Sequence, residues 1–239
     1  RIWRGRDFPG ERAVQIVDWH RMALEGHQAQ CEVRKAGRRT EITCHPGAEG
    51  GPVFVKAYLR RSLWERVKDM LRRRSRARDA WVAHRAFGVR GLPVAGALAL
   101  LEAADKLSGR PDYLITEALP GRTSLYHLAH GLPPEGAQEG PLELDAAGRR
   151  ELGEALADLF RLLAHRRVRH RDTKPSNIVV GREHGRLRLW LVDLDRALCG
   201  VRWRRRHWVT HLAQCDSALP ASVTLLERMR VLRRIGRGR

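Results

Sequence analysis

The chain has 239 residues, with 46 lysines and arginines against 27 aspartates and glutamates, for a formal net charge of +19. That length gives one large domain or two lobes sharing a cleft, with a core that needs no disulfide staples. Cys31, Cys44, Cys199 and Cys215 are scattered and form no C-x-x-C pair, which argues against a zinc site or disulfide scaffold and for reduced, cytoplasmic thiols. The longest apolar stretch, Val94 to Ala104, is too short to span a bilayer, and no secretory leader is visible, so a soluble protein is expected. The charge invites nucleic acid, but only 6% of residues are aromatic and no helix-turn-helix, finger or RNP pattern occurs. No nucleic acid is therefore expected; GC-rich coding, a polyanionic substrate or an acidic membrane face accounts for the arginines.

Residues 1–24 are mixed and left unassigned, although "VQIVDWHRMAL" has the makings of a short helix. "AQCEVRK" and "TEITCHP" read as strands joined by the turn "KAGRRT", and "VFVKAYLR" follows as a third with Lys56 inside it. The segment "RRSLWERVKDMLRRRSRAR" then changes period: Leu63, Trp64, Val67, Met70 and Leu71 recur at helical spacing among arginines. Such a helix packs its stripe on the domain core, the expectation adopted here; the alternative is a basic amphipathic helix lying on a membrane. "SRARDAWVAHRAF" continues as a second helix. "AGALALLEAA" and "DYLITEAL" give two more strands, making five in the first half. "SLYHLAHG" reads as a short helix, a Pro/Gly/Glu-rich loop runs from Gly131 to Gly140, and a long helix starts at Asp145 as its N-cap. That helix leads into "RHRDTKPSNIVV", and "NIVVG", "REHG" and "RLRLWLVDLD" form a hairpin.

The loop between that helix and the hairpin carries the chemistry. Asp172, held there by its scaffold, can accept a hydroxyl proton as general base. Lys174 can neutralise charge on a transferring phosphoryl group. Asn177 offers a neutral oxygen for a hard cation such as Mg2+, and Asp193, after the hairpin, offers a charged one. A base, a cation and two metal ligands converging on one site is what phosphoryl transfer requires.

These residues resemble the catalytic pattern H-R-D-x-K-x-x-N of the protein-kinase-like superfold, with His170-Arg171-Asp172 as its triplet and Asn177 at the matching offset. Asp193-Leu194-Asp195 stands where those enzymes carry Asp-Phe-Gly. Lys56 resembles the third-strand lysine that holds the nucleotide's α/β-phosphates. "ITEALPG" resembles the hinge, whose backbone from Glu117 to Leu119 would meet adenine. The finer resemblance is to the bacterial lipopolysaccharide kinase family, which phosphorylates Kdo or heptose sugars of the inner core. It is carried by "SRARDAWVAHRAFGVRGLPVAGALALLE", "DYLITEAL", "LWLVDLDRA" and "HLAQCDSAL".

The resemblance implies an α+β, two-lobed protein-kinase-like fold with an antiparallel-sheet N-lobe (1–119) and a mainly helical C-lobe (120–239). It implies an ATP- and Mg2+-dependent phosphotransferase acting on a lipopolysaccharide core or other anionic acceptor, cytoplasmic, in peripheral contact with the inner membrane. The arginines between 72 and 78 and "VRWRRRHW" suit such an acceptor. Asp195 either assists the metal or pairs with Arg171 or Arg196; His170 packs within the loop; His184 and His207 are expected to be inert surface residues. The sequence departs from the pattern in three places. No G-x-G-x-x-G precedes Lys56, no glutamate follows it on the next helix (Asp79 is the nearest acid, and the register could put Ala80 there), and no Ala-Pro-Glu follows Asp193. A protein serine/threonine kinase, favoured by the Lys-Pro-Ser wording of the loop, and an inactive pseudokinase module are the alternatives.

Overall fold

Alternation of apolar residues in the first half builds a sheet, and the 3.6-residue period of the second builds helices around a hairpin. The computed structural model describes residues 1–5, 7–27, 31–45, 51–60, 62–71, 75–105, 107–119, 122–133 and 142–236. In chain order the first half contains β1 (Ile2–Arg4), α1 (Gly10–Leu24), β2 (Glu32–Ala36), β3 (Thr40–His45), β4 (Val53–Tyr58), α2 (Leu63–Leu71), α3 (Arg76–Val89), β5 (Ala97–Leu101) and β6 (Asp112–Glu117). Then follow β7 (Thr123–Ser124), α4 (Leu125–Ala129), α5 (Ala146–His165), β8 (Val168–Arg169), a 3-10 turn (Pro175–Asn177), β9 (Ile178–Glu183), β10 (Arg186–Leu191), β11 (Leu198–Cys199), α6 (Arg205–Asp216) and α7 (Leu225–Gly236). No helix among the described residues is long and apolar enough to cross a membrane.

The chain divides into two compact units, Arg1–Arg85 with Ala95–Pro120, and Ala86–Val94 with Gly121–Arg239. The first holds a six-stranded sheet in the order β1-β5-β6-β4-β3-β2, antiparallel throughout. Because successive side chains of a strand point to opposite faces, β4 serves two cores. Val53, Val55 and Ala57 pack with Phe8, Ala13, Ile16 and Val17 of the N-terminal segment, together with Ala99, Tyr113 and Ile115. Tyr58 packs on the other side with Ala77 and Ala80 of α3, Leu100 and Leu114. Each fully buried Val, Leu or Ile contributes about 1.5–3 kcal/mol, so α1, left unassigned from the sequence, is a main support of the sheet.

The described strands include those expected in the first half, and β1 adds an exposed edge of three residues whose sequence carries no apolar alternation. The basic segment supplies α2 (Leu63–Leu71) and the helix expected after it is α3, with residues 72–74 outside the described set. One helical expectation is corrected. The apolar stripe of α2 is not packed on the core, since Leu63, Trp64, Met70 and Leu71 are all exposed. The physical reason is that polar ties hold the opposite face, with Arg60 Nε donating to Asp69 (2.8 Å) and Arg66 Nε donating to Arg60 O (3.3 Å). The loop "PGAEGGP" and the Gly131–Gly140 loop fall largely outside the described residues.

In the second unit, residues Ala86–Val94 join because Leu191 N–H donates to Pro93 O (2.9 Å) and Val94 bridges Leu191. Asp145 caps α5 as read from the sequence, its Oδ1 accepting from Gly148 N–H at 2.7 Å. Leu156, Leu159, Phe160 and Leu163 of α5 are buried. The β9–β10 hairpin turns at His184 (φ 50°) and Gly185 (φ 77°), the double positive φ of a type I′ turn. Among the described residues α7 is an addition that no pattern had indicated.

Candidate active site

The site is built from the end of α5 onward. After that helix Arg167 takes a left-handed φ of 55°, the usual way to reverse a chain at a helix C-terminus, and β8 carries it to His170. His170 is fully buried, and its Nε2 donates to Val192 O at 2.8 Å. That assignment leaves Nδ1 to accept the Asp172 N–H at 3.3 Å. Burial is the main influence on the ring and lowers its pKa, opposed by the Val192 carbonyl and by the carboxylates of Asp193, Asp172 and Asp195. His170 is thus a buried strut between the loop and the chain after β10, as the sequence suggested.

Asp172 follows Arg171, which has φ 70°, and its carboxylate is partly exposed. Lys174 Nζ lies 3.1 Å from Asp172 Oδ2, and Asn177 Nδ2 donates to that same oxygen and to Asp172 O, both at 2.9 Å. Pro175 opens the 3-10 turn that sets Asn177, consistent with a residue whose φ is already helical and which has no N–H to satisfy. Asn177 O accepts from Val192 N–H at 3.1 Å, so Val192 is held from both sides, by Asn177 and by His170. Asp193, the next residue, is exposed and has φ 60°. Asp172, Lys174 and Asn177 are therefore brought together in the second unit, and Asp193 follows directly on Val192, which is tied to Asn177 and His170.

Two further groups of this neighbourhood went unrecognised in the sequence. Thr173 is buried, and its hydroxyl is 3.0 Å from His211 O, 3.1 Å from His211 Nδ1 and 3.1 Å from Gln214 Oε1. Gln214 Oε1 also accepts the Thr173 N–H, while its Nε2 donates to Arg171 O, each at 3.2 Å. His211 lies against Trp203 with ring centroids 4.6 Å apart, and Trp203 Nε1 donates to Val168 O at 2.7 Å. The available signal was the His211–Gln214 spacing, which puts both on one face of α6. His207, expected on the surface, is buried at the start of α6, where its Nδ1 accepts the Arg204 N–H. His184 stays in the hairpin turn.

Lys56, Glu117 and Leu119 belong to the first unit. Lys56 is half-buried in β4, with Nζ 5.1 Å from the centre of the Tyr58 ring. Asp79 is exposed on the first turn of α3, whereas Ala80 is buried. At the end of β6 Glu117 N–H donates to Gly96 O, its carboxylate accepts the Gly96 N–H, and Ala118 N–H donates to Pro52 O, all at 2.9 Å. A Cβ on Gly96 would come within 2.5 Å of Glu117 Oε2, so a larger residue there would displace the Glu117 carboxylate from the Gly96 N–H.

A sequence description of the lipopolysaccharide kinase (Kdo/WaaP) family matches residues 23–217. The chain belongs to that family. Membership makes it a kinase, with ATP as the phosphoryl source, and the α+β protein-kinase-like fold agrees. Among solved structures it is similar to WaaP in complex with acyl carrier protein, at 20% identity and a TM-score of 0.63, covering 99% of this chain and 89% of that one. No curated protein sequence matches it.

The oxygen donors present fit a hard cation. Asn177, whose Nδ2 is turned to Asp172, keeps Oδ1 as its acceptor, and Asp193 presents an exposed carboxylate. Among the described residues no group of three His, Cys, Asp or Glu could hold a metal.

Proposed function

We propose that this lipopolysaccharide kinase transfers the γ-phosphoryl of ATP to a hydroxyl of a Kdo or heptose sugar of the inner core. The observation that carries the reading is the pairing of Asp172 Oδ2 with both Lys174 Nζ (3.1 Å) and Asn177 Nδ2 (2.9 Å). Two donors on one oxygen fix the carboxylate and leave its other oxygen to receive the acceptor's proton. Lys174, about half exposed, is placed to move between Asp172 and an incoming γ-phosphate oxygen, offsetting charge as the bond to the leaving oxygen breaks. Asn177 and Asp193 would hold Mg2+, which when bound neutralises charge on the triphosphate.

Lys56 is the residue proposed for the α/β-phosphates. With the Glu117 and Ala118 amides donating within the sheet, adenine would meet the hinge through carbonyls and the Leu119 amide. The acceptor is anionic and lipid-anchored, which suits the chain's charge and a place at the cytoplasmic face of the inner membrane. The likeness to WaaP also makes an acyl carrier protein a protein partner to be sought by pull-down.

The deciding experiment supplies labelled ATP with lipopolysaccharide precursors and a protein acceptor side by side. Label on the sugar that disappears in Asp172→Ala supports the reading. Label on protein alone, or equal labelling by Asp172→Ala, rejects it.

A further inference from the structure

α2 is built inside out. Its start is closed by a capping box, Ser62 Oγ accepting from Glu65 N–H (3.1 Å) and Glu65 Oε2 from Ser62 N–H (3.4 Å). Its inward face is polar: Asp69 accepts from the buried Arg60, and Arg66 reaches two main-chain carbonyls, Arg60 O and Leu107 O, at 3.3 Å each. The apolar residues lie on the other side, where spacings of four, seven and eight residues align Leu63, Val67, Met70 and Leu71, with Trp64 at the margin. Leu63 is 71% exposed, Trp64 68%, Met70 53% and Leu71 76%. Leucines and a methionine this exposed add little to folding, so the stripe serves something outside the chain.

Charge decides what. From residue 60 to 78 arginines and lysines outnumber the two acids, Glu65 and Asp69, several-fold, and the whole chain carries +19. A second copy would bring like charge against like charge, and a nucleic acid would leave the apolar stripe uncovered. An anionic bilayer takes both: the leucines and methionine enter the acyl boundary, the indole sits at headgroup depth, and the excess of positive charge favours lipid phosphates. We propose that α2 is the surface by which this protein docks on an anionic lipid membrane, lying in the interface plane with Leu63, Trp64, Met70 and Leu71 inserted. A stripe on a helix of nine residues gives reversible attachment, not anchoring. The inference does not depend on the identity of the phosphoryl acceptor.

The test is flotation of the full chain with phosphatidylcholine vesicles, with and without phosphatidylglycerol. The wild type should float with the anionic vesicles and hardly with the neutral ones. Leu63→Ser with Leu71→Ser, and separately Trp64→Ser, should each weaken anionic-vesicle binding about tenfold or more, with the thermal midpoint of the double leucine variant little changed because the two leucines are 71% and 76% exposed. Three results overturn the proposal: no flotation of the wild type, serine variants that bind as well as it does, or a salt-stable dimer in sedimentation that the serine variants dissociate.

Discussion

Gln214 and Thr173 form a two-point clasp: Gln214 Oε1 accepts both the Thr173 N–H and its hydroxyl, while Gln214 Nε2 donates to Arg171 O. Asp172 is the residue between the two gripped peptides, so α6 sets the position of the proposed base without touching it. Gln214→Leu keeps the volume and deletes all three bonds. Misplacement of a catalytic group by about 1 Å costs on the order of 100-fold, so kcat should fall between about tenfold and 100-fold while the KM for ATP stays nearly constant. Gln214→Glu, which keeps the acceptor, should recover part of the rate. Equal falls in kcat and folded fraction would reduce Gln214 to a structural residue.

A buried ionic cluster under β6 gives a stability prediction in the first unit. Arg60, almost fully buried, donates to Asp69 (2.8 Å), to Arg110 O (2.6 Å) and to Asp112, whose other oxygen accepts from Ala103 N–H (2.9 Å). Removing the guanidinium would leave two carboxylates facing each other with little solvent. Breaking a buried pair from one side costs about 3–5 kcal/mol. Arg60→Met should lower the urea midpoint accordingly, and Arg60→Met combined with Asp112→Asn should regain much of it.

Arg167 offers the opposite sign. Its φ of 55° at the end of α5 is the left-handed conformation that costs an L-residue about 1–2 kcal/mol and glycine almost nothing. Its N–H donates to Ala164 O and its carbonyl accepts from Val201 N–H, bonds that glycine preserves. Arg167→Gly should therefore raise the thermal midpoint, with activity unchanged; a fall would mean that the side chain holds the turn.

How far the sequence reached depends on the range of each interaction. The Asp145 cap, the β4 alternation and the spacing from Asp172 to Asn177 are local, and each was legible. The direction of the α2 stripe was not, because periodicity fixes which residues share a face but not which way that face points. The Asp69–Arg60 tie decides it across a loop. Gln214 stands 41 residues from Thr173, and its glutamine has no local reason to be there. The role of α1 was hidden because a short apolar pattern shows that Ile16 and Val17 share a face but not what that face covers, and only the sheet reveals it.

Acidity should reveal three buried imidazoles. Thr43 Oγ1 stands between His20 Nδ1 (2.8 Å) and His45 Nε2 (3.0 Å), donating to one ring and accepting from the other, and all three residues are buried. Burial first, then the neighbouring His45 and Arg21, lowers His20 to about 4, and burial lowers His45 to about 4. His211 is lowered to about 3, by burial and then by Arg169, His170 and His207. The unfolded chain protonates each ring near the ordinary value of 6.5, so between there and about 4 it binds more protons than the folded chain, and stability rises with pH. The contribution is complete above the unfolded value and is lost as pH falls toward the folded ones. Each ring contributes about 1.4 kcal/mol per pH unit within its window. The urea midpoint should thus decline steeply from about pH 6.5 to about pH 4.5. In His45→Asn, which retains a polar group opposite Thr43, the slope should shrink by one proton. A midpoint flat across that range would show that these rings are solvated in the folded protein.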